Sequence, residues 1–153
     1  MTNYPEEAIS QTSSNTVAKL PLLAAVIALI GLADAIYLTA KHYSGEAVPC
    51  SIVEGCEQVL TSSYAEIAGI PLAIFGAAAY FVAFALAILG AFGSVRAWML
   101  FGVQVILMTI FTAWLVYLQA FVIEAFCQFC LLSAGTTLTL FIIYLISKFS
   151  RYR

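Results

Sequence analysis

The chain has 153 residues, of which 63% are hydrophobic and only 9% are charged, and its formal net charge is -2. An average soluble domain carries roughly 25% charged residues, so the composition excludes an ordinary soluble domain and predicts an integral membrane protein. The small negative charge is unlike the basic footprint of a nucleic-acid-binding protein, and we expect the lipid bilayer, and no nucleic acid, as a partner.

Four long apolar runs follow a polar start. Residues 1–18 are polar and predict a flexible tail. The apolar runs cover residues 20–40, 70–92, 97–123 and 125–147. At about 1.5 Å per residue, each is long enough for a hydrocarbon core of roughly 30 Å. We therefore predict an all-α integral membrane domain over residues 19–150, a four-transmembrane-helix bundle with one long outer loop over residues 42–69.

The basic residues predict the orientation of the bundle. Lysines and arginines are enriched in the loops on the cytoplasmic side of a membrane. The alternation of spans places five of the six on one side and Lys41 alone on the other; the five are Lys19, Arg96, Lys148, Arg151 and Arg153. Both termini are therefore expected in the cytoplasm. All four cysteines are then expected on the periplasmic or extracellular face.

The last apolar run begins with a CxxC motif, Cys127-Gln128-Phe129-Cys130. Residues i and i+3 share a helix face, so the two sulfurs can form and reopen a disulfide. A helix N-terminus also favours a thiolate. These features favour redox chemistry. A zinc half-site is the alternative, and a haem attachment site is a weaker one because Leu131 stands where CxxCH needs histidine.

The outer loop holds the second cysteine pair. Cys50 and Cys56 bracket a segment short enough for a disulfide, with Gly55 to let the chain turn. A static bridge is one interpretation, and exchange with the CxxC pair on the same surface is the other. After Cys56, apolar residues at 59, 60, 64 and 67 have helical spacing, which predicts a short interfacial helix over residues 57–67 with Ser62 toward the bundle mouth.

Four features in this order match a known pattern. They are Cys50 with Cys56, then Val59-Leu60-Thr61-Ser62-Ser63-Tyr64, then Gly69-Ile70-Pro71-Leu72 with Phe75-Gly76, then Cys127-Gln128-Phe129-Cys130. Over residues 20–150 the chain resembles the vitamin K epoxide reductase family, and it is most similar to the bacterial disulfide-forming members of that family.

The resemblance implies a membrane thiol oxidoreductase that supports disulfide bond formation. Cys127 and Cys130 would be the active-site pair, Cys50 and Cys56 the shuttle pair, and Ser62 the serine that lies with Cys130 at the quinone. The acceptor would be a quinone of the ubiquinone, menaquinone, plastoquinone or phylloquinone type, and no metal ion is expected. Because no thioredoxin-like domain is fused within the 153 residues, the electron donor is expected to be a separate thioredoxin-like protein on the non-cytoplasmic side of a bacterial inner or plasma membrane.

The sequence differs from the vertebrate members of this family at two positions that bear on the substrate. Leu72 stands where the vertebrate enzymes have an asparagine beside the substrate, and Ala134 stands where they have a tyrosine. Both losses favour plain quinone reduction over epoxide reduction.

Other interpretations remain at this point. One is a non-enzymatic four-span scaffold with structural loop disulfides, and another is an outward-facing four-thiolate zinc site. Asp34, the one charged residue in the first span, is either part of a proton route for quinone reduction or a protonated acid that is hydrogen-bonded across the bundle.

Overall fold

The computed structural model describes the backbone of residues 4–50 and 55–152, and the side chains of residues 19–50 and 55–150. The elements in chain order are α1 (Tyr4–Ser44), α2 (Cys56–Leu60), β1 (Glu66–Ile67), β2 (Ile70–Pro71), α3 (Leu72–Ala91), α4 (Val95–Phe121) and α5 (Gln128–Tyr152). Four of these helices are long and apolar enough to cross a membrane. The predicted all-α membrane bundle is confirmed.

The ends of the spans differ from the sequence prediction. The membrane-spanning parts are Lys19–Ser44, Leu72–Ala91, Val95–Phe121 and Gln128–Ser150. The last span begins at Gln128 rather than at residue 125 because Glu124 adopts a positive φ of 54°, which a continuous helix does not allow. The backbone of the polar segment expected to be a tail is helical from Tyr4, and the mobility of that segment stays a prediction.

The four long helices form a ring. Helix α1 packs on α3 and α5, and α4 packs on the same two helices. The core contains several fully buried alanines, among them Ala24, Ala28, Ala83 and Ala87. Small side chains let helix backbones approach closely, which matters in lipid because apolar side chains gain nothing from leaving it. Trp98 Nε1–H adds a hydrogen bond to Ser147 Oγ, at 3.0 Å, between α4 and α5.

The outer loop corrects one prediction. The helix expected over residues 57–67 ends at Leu60. After it, the two-residue strands β1 and β2 form an antiparallel hairpin in which Ile67 pairs with Ile70. The turn residues Ala68 and Gly69 have φ values of 53° and 79°, and two positive values are what a tight hairpin turn requires. The turn therefore overrides the helical spacing of the apolar residues, and it moves the start of α3 from residue 70 to Leu72.

Candidate active site

The four cysteines converge although the two pairs are far apart in sequence. Cys56 and Cys127 are 1% and 0% exposed and belong to one buried cluster with Val59 and Ala125. Cys50 and Cys130 pack against this cluster as partly buried residues. The loop pair and the CxxC pair therefore share one region at one end of the bundle, as the alternation of spans predicts. We call these six residues the cysteine cluster.

The loop contacts the CxxC segment at Gly55. A Cβ atom at this position would lie 2.8 Å from the backbone O of Phe126 and 2.9 Å from its N. Gln58 Nε2 donates a longer hydrogen bond, 3.4 Å, to the backbone O of Ile123. Gly55 is thus more than a turn residue, because its missing side chain lets α2 lie against the segment that leads into α5.

The redox states of the two pairs differ in this structure. Cys50 and Cys56 form a disulfide with a Cα–Cα distance of 6.2 Å, which confirms that the loop pair can be bridged. Cys127 and Cys130 are free thiols. A four-thiolate zinc site would need the sulfurs of Cys50 and Cys56 as separate ligands, whereas here they are bonded to each other.

Cys127 occupies the N-cap of α5. Its backbone O accepts a hydrogen bond from Leu131 N at 2.9 Å, the first bond of the helix. Its own N–H donates to Gln119 Oε1 at 3.2 Å, and Gln119 is 4% exposed. Gln119 is not among the site residues predicted from the sequence. The signal that could have indicated it is a polar residue near the end of an apolar run.

A cavity of about 200 Å³ lies beside the cysteine cluster, between the long helices and the loop. Most of its lining is apolar. Ser62 and Cys130 both line it, and so do Leu72 and Ala134. Cys127 is not among the described residues that line it. The CxxC pair therefore has one sulfur in the cysteine cluster with Cys56 and one at the cavity wall.

The comparison with known families agrees with this arrangement. The sequence model described as the vitamin K epoxide reductase family matches residues 22–145. The chain belongs to this family. Members of the vitamin K epoxide reductase family are membrane thiol oxidoreductases that generally use a quinone as electron acceptor. The match includes the four cysteines and Ser62, so the resemblance drawn from the motifs is confirmed.

The thiol of Cys127 is more acidic than an ordinary thiol in this vitamin K epoxide reductase homologue. A hydrogen bond from the Cys130 side chain lowers the pKa of Cys127 to about 7, and backbone N–H groups of Cys130 and Phe129 add to the effect. Burial opposes it. At neutral pH the reduced pair therefore presents a thiolate at Cys127 next to a thiol at Cys130.

The polar side chains of the cavity wall are mostly satisfied within the protein. Ser62 Oγ donates to the backbone O of Val59 at 2.7 Å. Tyr80, which is 1% exposed, reaches from α3 to α5, where its hydroxyl donates to the backbone O of Ser133 at 2.7 Å and lies 2.8 Å from Thr137 Oγ1. These bonds fix polar side chains of the same cavity wall that Cys130 lines.

Proposed function

We propose that this protein passes electrons from a thioredoxin-like protein dithiol, through Cys50 and Cys56 and then Cys127 and Cys130, to a quinone. In this role it supports disulfide bond formation. One observation carries the proposal: the CxxC pair lies between the loop disulfide and the cavity, since Cys127 shares the cysteine cluster with Cys56 and Cys130 lines the cavity. A purely structural loop bridge would have no need of this arrangement.

The cavity suits a quinone ring. A cavity of about 150 Å³ with apolar walls is large enough to hold a benzene ring, and this cavity measures about 200 Å³. The bound quinone would supply an acceptor for two electrons and two protons. Counted from the protonated dithiol, Cys127 and Cys130 release the same number when their S–S bond forms. The proton that the Cys127 thiolate has already lost is drawn from water, so the reaction balances. We propose that Ser62 and Cys130 are the side chains nearest the ring.

Electrons would enter at Cys50. This residue is half-buried, whereas Cys56 is 1% exposed. Thiol exchange requires the attacking thiolate to reach a sulfur atom, so an external dithiol has access to Cys50 and displaces Cys56 as a thiolate. The freed Cys56 lies in the same cluster as Cys127. It is therefore placed to attack a Cys127–Cys130 disulfide and release Cys130 beside the cavity.

The cavity lining favours a simple quinone over an epoxide. Leu72 and Ala134, which stand where the vertebrate enzymes have an asparagine and a tyrosine, both line the cavity. Neither side chain offers a hydrogen bond to a substrate oxygen. We therefore infer that the cavity favours quinone reduction over epoxide reduction.

We further propose that the protein is a multi-pass component of a bacterial inner or plasma membrane, with both termini in the cytoplasm. The five-to-one distribution of lysine and arginine supports this orientation. The cysteine cluster would then face the oxidising side, where disulfides persist.

The test is an assay of quinone reduction with the purified protein in lipid vesicles. A reduced thioredoxin-like protein is the donor, and thiol loss and quinol formation are measured together. We expect one quinol per disulfide formed, and we expect Cys130→Ser to abolish quinol formation. Thr139→Val is the matched control, because Thr139 is an exposed residue of the same helix whose hydroxyl bonds only to the Gly135 backbone O. Quinone consumption no faster than without protein would refute the proposed function.

A further inference from the structure

Asp34 is a buried acid at the cavity. It lies in the membrane-spanning part of α1, is 8% exposed, and lines the cavity together with Cys130 and Tyr80. An ionisable side chain at such a depth is costly unless it faces a polar partner or a ligand. The carboxyl of Asp34 therefore needs a polar partner or a ligand at this position.

No side chain of the protein supplies that partner in the part of the chain that the structure describes. Asp34 Oδ2 is buried and has no hydrogen-bond partner there. The interpretation of Asp34 as an acid hydrogen-bonded across the bundle is thus not supported. Nearly all buried polar atoms in proteins are hydrogen-bonded. Because Asp34 also lines the cavity, a molecule that occupies the cavity can be its partner.

Several other polar groups of the cavity wall are already engaged. Gln119 Oε1 accepts from Cys127 N, and Ser62 Oγ donates to the Val59 backbone O. His42 Nε2 lies 3.2 Å from Glu66 Oε1. Asp34 Oδ2 is the buried side-chain oxygen of the described cavity wall that has no partner, so Asp34 is the group best placed to bind an oxygen atom that enters the cavity.

We propose that Asp34, in its protonated form, donates a hydrogen bond and then its proton to the quinone oxygen that faces α1. This inference rests on the proposed function. Two electrons leave Cys127 and Cys130 as their S–S bond forms. The proton of the Cys130 thiol restores the carboxyl of Asp34, and the proton that Cys127 had already lost to water as a thiolate reaches the second quinone oxygen from water. Asp34 thus ends each turnover protonated, and no reactant besides water is required.

The decisive variant is Asp34→Asn, which keeps the shape of the side chain and can donate a hydrogen bond but cannot give up a proton. General acids contribute about 100-fold or more to rates, so we expect kcat for a short-chain ubiquinone analogue to fall by about that factor with little change in KM. Asp34→Glu should retain much of the activity because it keeps a carboxyl. The exchange between the loop disulfide and the CxxC pair should proceed at the wild-type rate.

Thr39→Val is the matched control. Thr39 is on the same helix, its hydroxyl bonds only to the Ala35 backbone O at 2.8 Å, and it is not among the described cavity residues. We expect this variant to reduce quinone at the wild-type rate. A comparable loss in Thr39→Val would mean that the assay reports general damage to α1, and it would overturn the role of Asp34.

A second measurement does not depend on the stability of any variant. We expect the infrared C=O band of a protonated carboxylic acid in the wild-type protein to shift when the ubiquinone analogue is added. No shift would overturn the proposal, and so would wild-type kcat in Asp34→Asn or an equal loss of thiol exchange in that variant. A wild-type protein that reduces no quinone refutes the proposed function together with this inference, whereas an active wild type with an equally active Asp34→Asn refutes the inference alone.

Discussion

Gln119 holds the backbone of Cys127. Its side-chain Oε1 accepts the N–H of Cys127 at 3.2 Å, and its backbone O accepts the N–H of Ala125 at 3.1 Å. The N–H groups at a helix start have no acceptor within the helix. Gln119, near the end of α4, supplies a hydrogen-bond acceptor at the start of α5. We infer that Gln119 is a positioning residue for the CxxC pair.

Replacing Gln119 with leucine should disturb this pair. The change leaves the buried N–H of Cys127 without an acceptor, at a cost of about 1–3 kcal/mol. We expect a lower Tm and slower exchange between the loop disulfide and the CxxC pair, measured by trapping the thiols with acid. Gln119→Glu, which keeps the acceptor oxygen, should restore the exchange rate.

Gln104→Leu is the control for Gln119. Gln104 is on the same helix, and its side chain donates to the Ala79 backbone O at 3.4 Å, toward α3. Gln104→Leu should leave the rate of exchange between the loop disulfide and the CxxC pair unchanged. Equal slowing in both leucine variants would contradict a specific role for Gln119.

Gly55→Ala should separate the loop from the CxxC segment. The φ of Gly55 is -95°, which alanine adopts freely, so the effect is purely steric. The added Cβ would lie 2.8 Å from the Phe126 backbone O, and a backbone atom cannot rotate away as a side chain does. We expect slower exchange between the cysteine pairs and a lower Tm. Gly135→Ala is the control, because a Cβ there meets nothing within 4 Å, and it should match the wild type.

The acidity of Cys127 predicts a pH dependence for the reduced protein. The pKa of Cys127 is lowered from 9.0 to about 7 by the hydrogen bond from Cys130. A lowered pKa means that the thiolate stabilises the folded state; this contribution is complete above pH 9.0 and is lost as the pH falls to about 7. The Tm of the reduced protein should therefore fall relative to Cys127→Ser across this range. Thiolate absorbance that titrates only near pH 9.0 would contradict the assignment.

Replacing Cys50 tests the order of the relay. Cys50→Ala leaves Cys56 as a free thiol in the same cluster as Cys127, so we expect a Cys56–Cys127 disulfide to accumulate, detected by peptide mapping. Cys130→Ser should permit this cross-link while abolishing quinone reduction. If mapping finds only the Cys50–Cys56 and Cys127–Cys130 bonds in every variant and redox condition, the loop bridge is structural and the relay is wrong.

The orientation can be tested with two introduced cysteines. Glu46 in the outer loop and Phe92 in the turn before α4 are both exposed, Phe92 by 87%. An impermeant thiol reagent should label Glu46→Cys in intact cells and Phe92→Cys only after the membrane is permeabilised. The ion pair of Glu46 with Lys41 is exposed to solvent, which screens it, so its loss should leave the fold intact. The reverse labelling pattern would contradict the proposed topology.

Much of the fold was predictable because it is encoded locally along the chain. Hydropathy identified the four spans, since lipid requires every backbone polar group to be bonded within its own helix. The Cys50–Cys56 disulfide and the CxxC pair at a helix start followed from short spacings. The hairpin over residues 66–71 was missed because two positive φ values at Ala68 and Gly69 outweigh the apolar spacing that suggested a helix.

The site depends on contacts between segments that are distant in sequence. Nothing in the neighbourhood of Gly55 indicates that it packs against Phe126, and nothing near Gln119 shows that it caps α5. Asp34 was visible as a charge in an apolar run, but only the packing of the bundle shows that its Oδ2 lacks a partner in the described chain and that the residue lines the same cavity as Cys130. Hydropathy and spacing are properties of short segments, whereas a cavity and its unpaired carboxyl exist only where several helices meet.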